Sequence, residues 1–151
     1  MLFGLFKSSA TRRRERWIAF NAEMIRNWLR RIWAFESLMN EDPDFGQLQD
    51  RLFSESFAGY LSGFADVLVS EFAEDESVRV RYSRLFFDRV MTKRGGEWVQ
   101  SNIAGFLGTR SADFAAGFDA GRADARDCAA NGQPSLTGLV KLFDCTEGLA
   151  A

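Results

Sequence analysis

The residues best suited to acid–base or metal chemistry are aspartates. Asp66 and Asp124 end two similar segments of the chain, and Asp113, Asp119 and Asp127 surround the second one. Paired carboxylates can serve as acid and base, or can hold Mg²⁺ or Ca²⁺. Asp124 and Asp127 also stand beside arginines at positions 122 and 126, which favours a solvated helix surface whose charges neutralise one another. We therefore keep Asp66 and Asp124 as candidates for a polar site, behind the surface interpretation, and expect no metal ion.

The residue types that enzymes use most often are missing or isolated. Histidine does not occur among the 151 residues, which excludes histidine triads, histidine metal sites and the ligand set of di-iron helix bundles. Cys128 and Cys145 have no histidine to activate them, and the sequence contains neither a hydrolase elbow nor a phosphate-binding loop. The sequence predicts a protein that is not an enzyme and needs no cofactor.

The N-terminal end does not resemble an export signal. Its first six residues are apolar and its charges follow them, whereas a secretory signal carries its positive charges first. No run approaches the roughly 18 apolar residues that a membrane-spanning helix needs. We therefore expect a cytoplasmic protein in which Cys128 and Cys145 are reduced thiols, with a disulfide between them as the alternative.

Basic residues concentrate at the same end. Residues 1–31 contain eight basic and two acidic residues, although the whole chain carries a net charge of −2. The candidates for binding an anion or a lipid headgroup are Arg12, Arg13, Arg14 and Arg16. If the apolar residues 1–6 insert into lipid, these arginines meet anionic headgroups, which is the peripheral-membrane interpretation. Pairing with acidic residues of the same bundle is the simpler alternative, and nucleic-acid binding is the least favoured.

Four glycines give the clearest structural signal. Gly59 and Gly63 recur 58 residues later as Gly117 and Gly121, within two eight-residue segments that share four identical positions. A glycine inside a helix costs about 0.5–1 kcal/mol relative to alanine, so a compensating contact is expected. At a spacing of four, the glycines of a pair share one helix face, which lets another backbone come close. We expect the two pairs to pack against each other within one bundle, with a two-fold homodimer seam as the alternative.

Apolar residues at steps of three or four predict two long helices in the first half of the chain. The first would run to about residue 40 from a cap at Ser8, Ser9 or Thr11, and the second from about residue 45 to 73 with Asp44 as its cap. Three tryptophans of the first helix are expected on its broad apolar face, namely Trp17, Trp28 and Trp33. Because that face is wide, other helices should cover it, partly within the chain and partly at an interface with a partner.

The second half predicts three more helices. One would begin at Asp75 or Ser77 and stop at the Gly95-Gly96 pair. The next would run to about residue 130, with a kink near residue 108 where Ser111 caps it again. A short final helix over 136–143 would be capped at residue 135.

These patterns predict an all-α, single-domain bundle of five or six helices. The recurrence of the glycine segment after 58 residues, here called the echo, indicates a tandem duplication of a helical hairpin. The bundle would span 11–145, after a flexible lead (1–10) and before a loose tail (146–151). The function we expect is a non-catalytic protein–protein interaction module that self-associates as a homodimer. The alternatives are a membrane-peripheral protein that uses the arginine-rich N-terminal segment, and a bundle that binds a small ligand or a metal.

Overall fold

The computed structural model describes residues 8–39, 51–70, 75–131 and 136–143. Over these ranges the chain is helical and contains no strand, which confirms the predicted all-α bundle. The helices are α1 (Ser9–Met39), α2 (Glu55–Ser70), α3 (Glu76–Gly108), α4 (Ala112–Asn131) and α5 (Thr137–Leu142). The predicted tail and most of the predicted lead lie outside the described residues.

Three helices begin at capping side chains that the sequence predicts. The side-chain oxygens of Ser8, Asp75 and Ser111 each accept the backbone N–H three residues further on, at 3.1, 2.9 and 3.1 Å. These bonds satisfy amides that have no partner inside the helix. The start of α1, α3 and α4 is therefore fixed locally.

The second helix begins later than predicted. Residues 53 and 54 leave the helical conformation, and Ser54 caps α2 by accepting the N–H of Phe57 at 3.1 Å. The prediction of one continuous helix from residue 45 is therefore wrong, because a serine inside the apolar pattern caps a new helix. The proposed cap Asp44 lies outside the described residues.

Helix α3 bends sharply at Thr92, not at the predicted Gly95-Gly96 stop. Thr92 has φ 68° and ψ 169°, and both glycines are buried in the helical segment that follows. The two arms of α3 fold back on each other, since Arg84 contacts Asp88 at 2.9 Å and, across the bend, Glu97 at 3.5 Å. A Cβ atom on Gly96 would overlap the side chain of Asp88. The glycines therefore make room for this close approach and do not end the helix.

Helix α2 lies at the centre of the bundle and contacts α3, α4 and α5, while α1 packs against α3. Its aromatic residues form the core: Phe57 meets Phe143 edge to face at 5.3 Å, and Phe64 stacks on Phe86 at 5.5 Å. Because α2 is buried on almost every side, its geometry sets the position of the polar residues described below.

Candidate functional site

The glycines of α2 touch the backbone of α4. A Cβ atom added to Gly59 would lie less than 3.0 Å from the carbonyl oxygen of Phe114, and one added to Gly63 would be equally close to that of Phe118. The hydrogen that replaces Cβ therefore points at a carbonyl oxygen, as in Cα–H···O contacts between helices. Because the numbers of the paired residues rise together, α2 and α4 run in the same direction.

The contacts from α4 back to α2 repeat this geometry. Gly117 lies against the carbonyl of Ser56, and Gly121 against that of Tyr60. Adding 58 to the number of each α2 glycine and subtracting 58 from the number of its α4 partner gives one of these contacts. The two halves of the echo therefore meet reciprocally, as the halves of a two-fold pair do. The structure thus occupies both glycine faces within one chain, and leaves no bare glycine face on α2 or α4 for a second copy.

Asp124 is a buried structural carboxylate. Only 6% of it is exposed. One oxygen, Oδ2, accepts the Tyr60 hydroxyl at 2.8 Å and the N–H of Leu139 at 2.9 Å, and Oδ1 accepts the N–H of Gly138 at 3.0 Å. The expectation of a solvated Asp124 is therefore wrong. The chain folds back after α4 and brings the positive end of α5 onto this carboxylate.

The hydrogen bonds of Asp124 replace a missing cap on α5. The N-cap residue Leu136 has a left-handed backbone (φ 45°) and makes no side-chain capping bond. Its side chain is fully buried, so it contributes apolar packing in that position. Asp124, on α4, supplies the oxygens that the first amides of α5 need. One carboxylate therefore joins α2, α4 and α5.

Tyr60 is held in its neutral form by this arrangement. Burial raises its pKa well above the ordinary value of 10.0, and the charge of Asp124 and the hydrogen bond to it raise that pKa further. The phenol is therefore a permanent donor to Asp124 at neutral pH.

Asp66 has a different environment from Asp124, although the echo makes them equivalent. Its side chain is 43% exposed, and its Oδ2 lies 3.7 Å from Nε of Arg122. The position equivalent to Tyr60 is Phe118, which has no hydroxyl to donate, and the Arg122 guanidinium lies 5.8 Å from that ring. The two candidate carboxylates therefore do not share a role, and only Asp66 is open to solvent.

The described residues contain no cluster of three or more side chains that could hold a metal ion. Cys128 carries a free, half-buried thiol, and Cys145 lies outside the described residues. Burial raises the pKa of Cys128 from 9.0 to about 11, with further contributions from Asp124 and Asp127. Such a thiol is a poor nucleophile at neutral pH.

Helix α1 leaves part of its apolar surface uncovered. The line Ile18, Ala22, Ile25 and Leu29 is buried, whereas Trp17 is 38% and Phe20 65% exposed. Within the described residues, the helices of this chain cover only the aliphatic line of the face, because that is the side that the rest of the bundle buries. Cover of the remaining part by a partner stays a prediction. The rings of Trp17 and Phe20 stack on each other at 6.3 Å.

The arginine candidates lie near the start of α1, in the part of the helix that precedes these exposed rings. Arg12, Arg13 and Arg16 are exposed, and Arg14 is half-buried. Further along the helix, Trp28 is half-buried and has the Arg31 guanidinium 5.5 Å from its ring. The side chain of Trp33 lies outside the described residues. Among those residues, no helix has the length and apolar character that crossing a bilayer requires.

A second uncovered apolar surface lies where α3 meets α4, and the sequence analysis missed it. This surface, here called the corner surface, surrounds a groove of about 340 Å³ and is formed by Phe106, Leu107, Arg110, Phe114, Ala115, Phe118 and Asp119. Leu107 is 62% exposed. The available signal was a pair of apolar residues, Phe106 and Leu107, between Gly105 and Gly108 and directly before a turn.

Three comparisons with known proteins add no assignment to this geometry. No family model matches the chain, and neither the curated proteins nor the solved structures contain a match to it.

Proposed function

We propose that this protein is a non-catalytic, self-associating interaction module, and that two copies bind through the corner surface. The observation that carries the proposal is the exposed Leu107 beside a groove floored by aromatic rings. Phe106 and Phe114 lie 5.7 Å apart in that floor, and Phe114 and Phe118 lie 6.3 Å apart. An exposed apolar side chain that is continuous with an apolar groove is typical of a protein–protein contact site.

The charges of the corner surface favour a second copy as the occupant. Arg110 and Asp119 both line the groove and both are exposed. In a two-fold contact, if Arg110 of one copy meets Asp119 of the other, the reverse pair forms as well. The surface is therefore complementary to itself in charge, and Leu107 of each copy has the groove of the other to enter.

Two glycines support the same surface. No atom of the described residues lies within 4 Å of a Cβ built on Gly105 or Gly108. In α2 and α4 the cost of helical glycines is offset by contact with another backbone, but the described residues offer no such contact to Gly105 or Gly108. A second copy that approaches the end of α3 closely would provide it.

A charge exchange tests this proposal. Light scattering should give twice the mass of one chain at high protein concentration, and Arg110→Asp or Asp119→Arg alone should weaken the dimer because like charges then face each other. The double variant should restore it. Leu107→Glu should give a monomer, while Val80→Glu, at another exposed apolar residue, should not. A wild-type protein that stays monomeric, or a double variant no better than the single ones, would contradict the proposal.

Membrane attachment through α1 is the second candidate, and the exposed Trp17 and Phe20 favour it. Arg13 and Arg16 precede Trp17 and Phe20 by four residues each and therefore share a helix face with them, so an apolar and a cationic surface meet on one helix. Flotation with vesicles of anionic lipid should retain the protein, and added salt should reduce the retention. Phe20→Glu should abolish it. Equal behaviour with neutral and anionic vesicles would remove this candidate.

A further inference from the structure

The echo pairs Asp66 with Asp124, but only the Asp124 carboxylate is filled by backbone donors. The N–H of Gly138 donates to one of its oxygens at 3.0 Å and the N–H of Leu139 to the other at 2.9 Å. One N–H to each oxygen is also the pattern in which a guanidinium binds a carboxylate. The bonds of Asp124 therefore show which donors would complete the equivalent carboxylate, Asp66: one N–H for each oxygen.

The equivalent amides on the Asp66 side are used inside a helix. They belong to Val80 and Arg81, which lie within α3. The helical hydrogen bonds of α3 have begun by Arg79, whose N–H donates to the carbonyl of Asp75 at 3.1 Å, so the amides that follow donate along the helix. Asp66 thus receives neither of the two N–H groups that its counterpart receives. Its cationic neighbour is Arg122, whose Nε lies 3.7 Å from Oδ2 and makes no hydrogen bond among the described residues.

Asp66 and Val80 instead line an open cleft of about 230 Å³. Its apolar wall includes Ile103 and Phe118. Gln100 also lines the cleft, and its Oε1 is buried without a hydrogen-bond partner among the described residues. Glu76 and Arg79 also line the cleft, so its charged side chains are two acidic and one basic. The cleft therefore places the Asp66 carboxylate and the Gln100 amide oxygen beside an aromatic ring.

We propose that this cleft binds a small molecule that carries an amidinium or guanidinium group on an apolar body. The planar cation would give Asp66 the two N–H donors that α5 gives Asp124, and a remaining N–H would reach Oε1 of Gln100. The apolar body would lie on Phe118 and Ile103. Sites for drug-sized ligands occupy roughly 300–1,000 Å³, so this smaller cleft suits a ligand of about ten non-hydrogen atoms.

Benzamidine is a suitable probe, and benzamide is its uncharged isostere. Calorimetric titration of the full chain should detect benzamidine binding, with at least tenfold weaker binding of benzamide. Asp66→Asn should weaken benzamidine binding at least tenfold, while Asp113→Asn, which removes an exposed carboxylate of α4, should not change it. Ser83→Phe should block the cleft, since Ser83 lines it. Circular dichroism of each variant establishes that it is folded.

The results separate the cleft from general attraction to a carboxylate. Equal affinity of the wild type and Asp66→Asn, or of benzamidine and benzamide, overturns the proposal, as does the absence of binding by either probe. A parallel titration with an arginine residue blocked at both ends distinguishes the two sources of the cation. Tighter binding of blocked arginine assigns the site to a peptide side chain, and tighter binding of benzamidine assigns it to a free small molecule.

Discussion

The hydroxyl of Tyr60 and the carboxylate of Asp124 are 64 residues apart in the chain and 2.8 Å apart in the fold. The bond connects α2 to α4 in the interior, and the same carboxylate holds the first turn of α5. A buried charge is tolerated when hydrogen bonds replace the water it has lost. One side chain therefore connects three helices.

Removing the Tyr60 hydroxyl should destabilise the protein. Tyr60→Phe leaves Asp124 with two donors instead of three, and hydrogen bonds to charged groups contribute about 1.5–3 kcal/mol. We expect the free energy of unfolding, measured by urea denaturation, to fall by that amount. Phe118→Tyr, at the equivalent position of the other half, is the control and should not produce a comparable change. An unchanged midpoint in Tyr60→Phe would show that the bond does not contribute.

The same bond should make the protein sensitive to alkaline pH. The pKa of Tyr60 is raised in the folded state, so this contribution to stability is complete below pH 10 and is lost as pH rises from there toward the folded-state pKa. The slope for one group reaches at most about 1.4 kcal/mol per pH unit. The raised pKa of Cys128 also lowers stability as the pH rises from 9.0 to about 11. The comparison should therefore be made between Cys128→Ser and the double variant that also carries Tyr60→Phe. Against that background, Tyr60→Phe should lose stability less steeply above pH 10.

Two glycine-to-alanine changes should have opposite effects. At Gly59 the new methyl group overlaps the Phe114 carbonyl, so α2 and α4 must separate, and we expect a loss of about 1–3 kcal/mol. At Gly105 the methyl group enters open space, and the better helix former should add about 0.5–1 kcal/mol. Thermal unfolding at low protein concentration measures both. Equal changes in the two variants would mean that helical propensity alone decides the outcome.

The Cys128 thiol should react slowly until the solution is strongly alkaline. A pKa of about 11 instead of 9.0 lowers the thiolate fraction at neutral pH by roughly a hundredfold. Alkylation by iodoacetamide, followed by mass spectrometry in a Cys145→Ser background, should be correspondingly slower in the folded than in the urea-unfolded protein. Its rate should rise with pH up to about 11. Similar rates in both states would contradict the burial of the thiol.

Local signals in the sequence predicted the parts of the fold that depend on near neighbours. Ser8, Asp75 and Ser111 each cap a helix through an amide three residues away, and the sequence contains everything that such a bond needs. Thr92 was missed for the opposite reason. Threonine has no preference for a positive φ, and the Gly95-Gly96 pair, three residues further on, is the more permissive place for a turn. In the structure the bend lies at Thr92, and Gly96 instead allows the two arms of α3 to approach each other at Asp88.

Long-range contacts explain why the candidate site was only partly predictable. The glycine spacing indicated a close helix contact, but nothing in the sequence near Asp124 shows that α5 returns to it. The pattern of charges around Asp124 resembles that of an exposed helix, so local composition favoured the wrong environment. Leu107 was missed because a single leucine before a turn is a common surface residue.

The reciprocal contact of α2 and α4 has a consequence for how the two halves can change. Each helix offers its neighbour the surface that it receives, so a half-length chain could make the same contact with an identical copy of itself. The covalent link through α3 holds the two halves together at a high effective concentration. Their sequences can therefore differ, whereas two separate copies would have to be identical. In this chain one half keeps Asp124 buried and bonded to α5, while the other leaves Asp66 partly exposed beside Arg122.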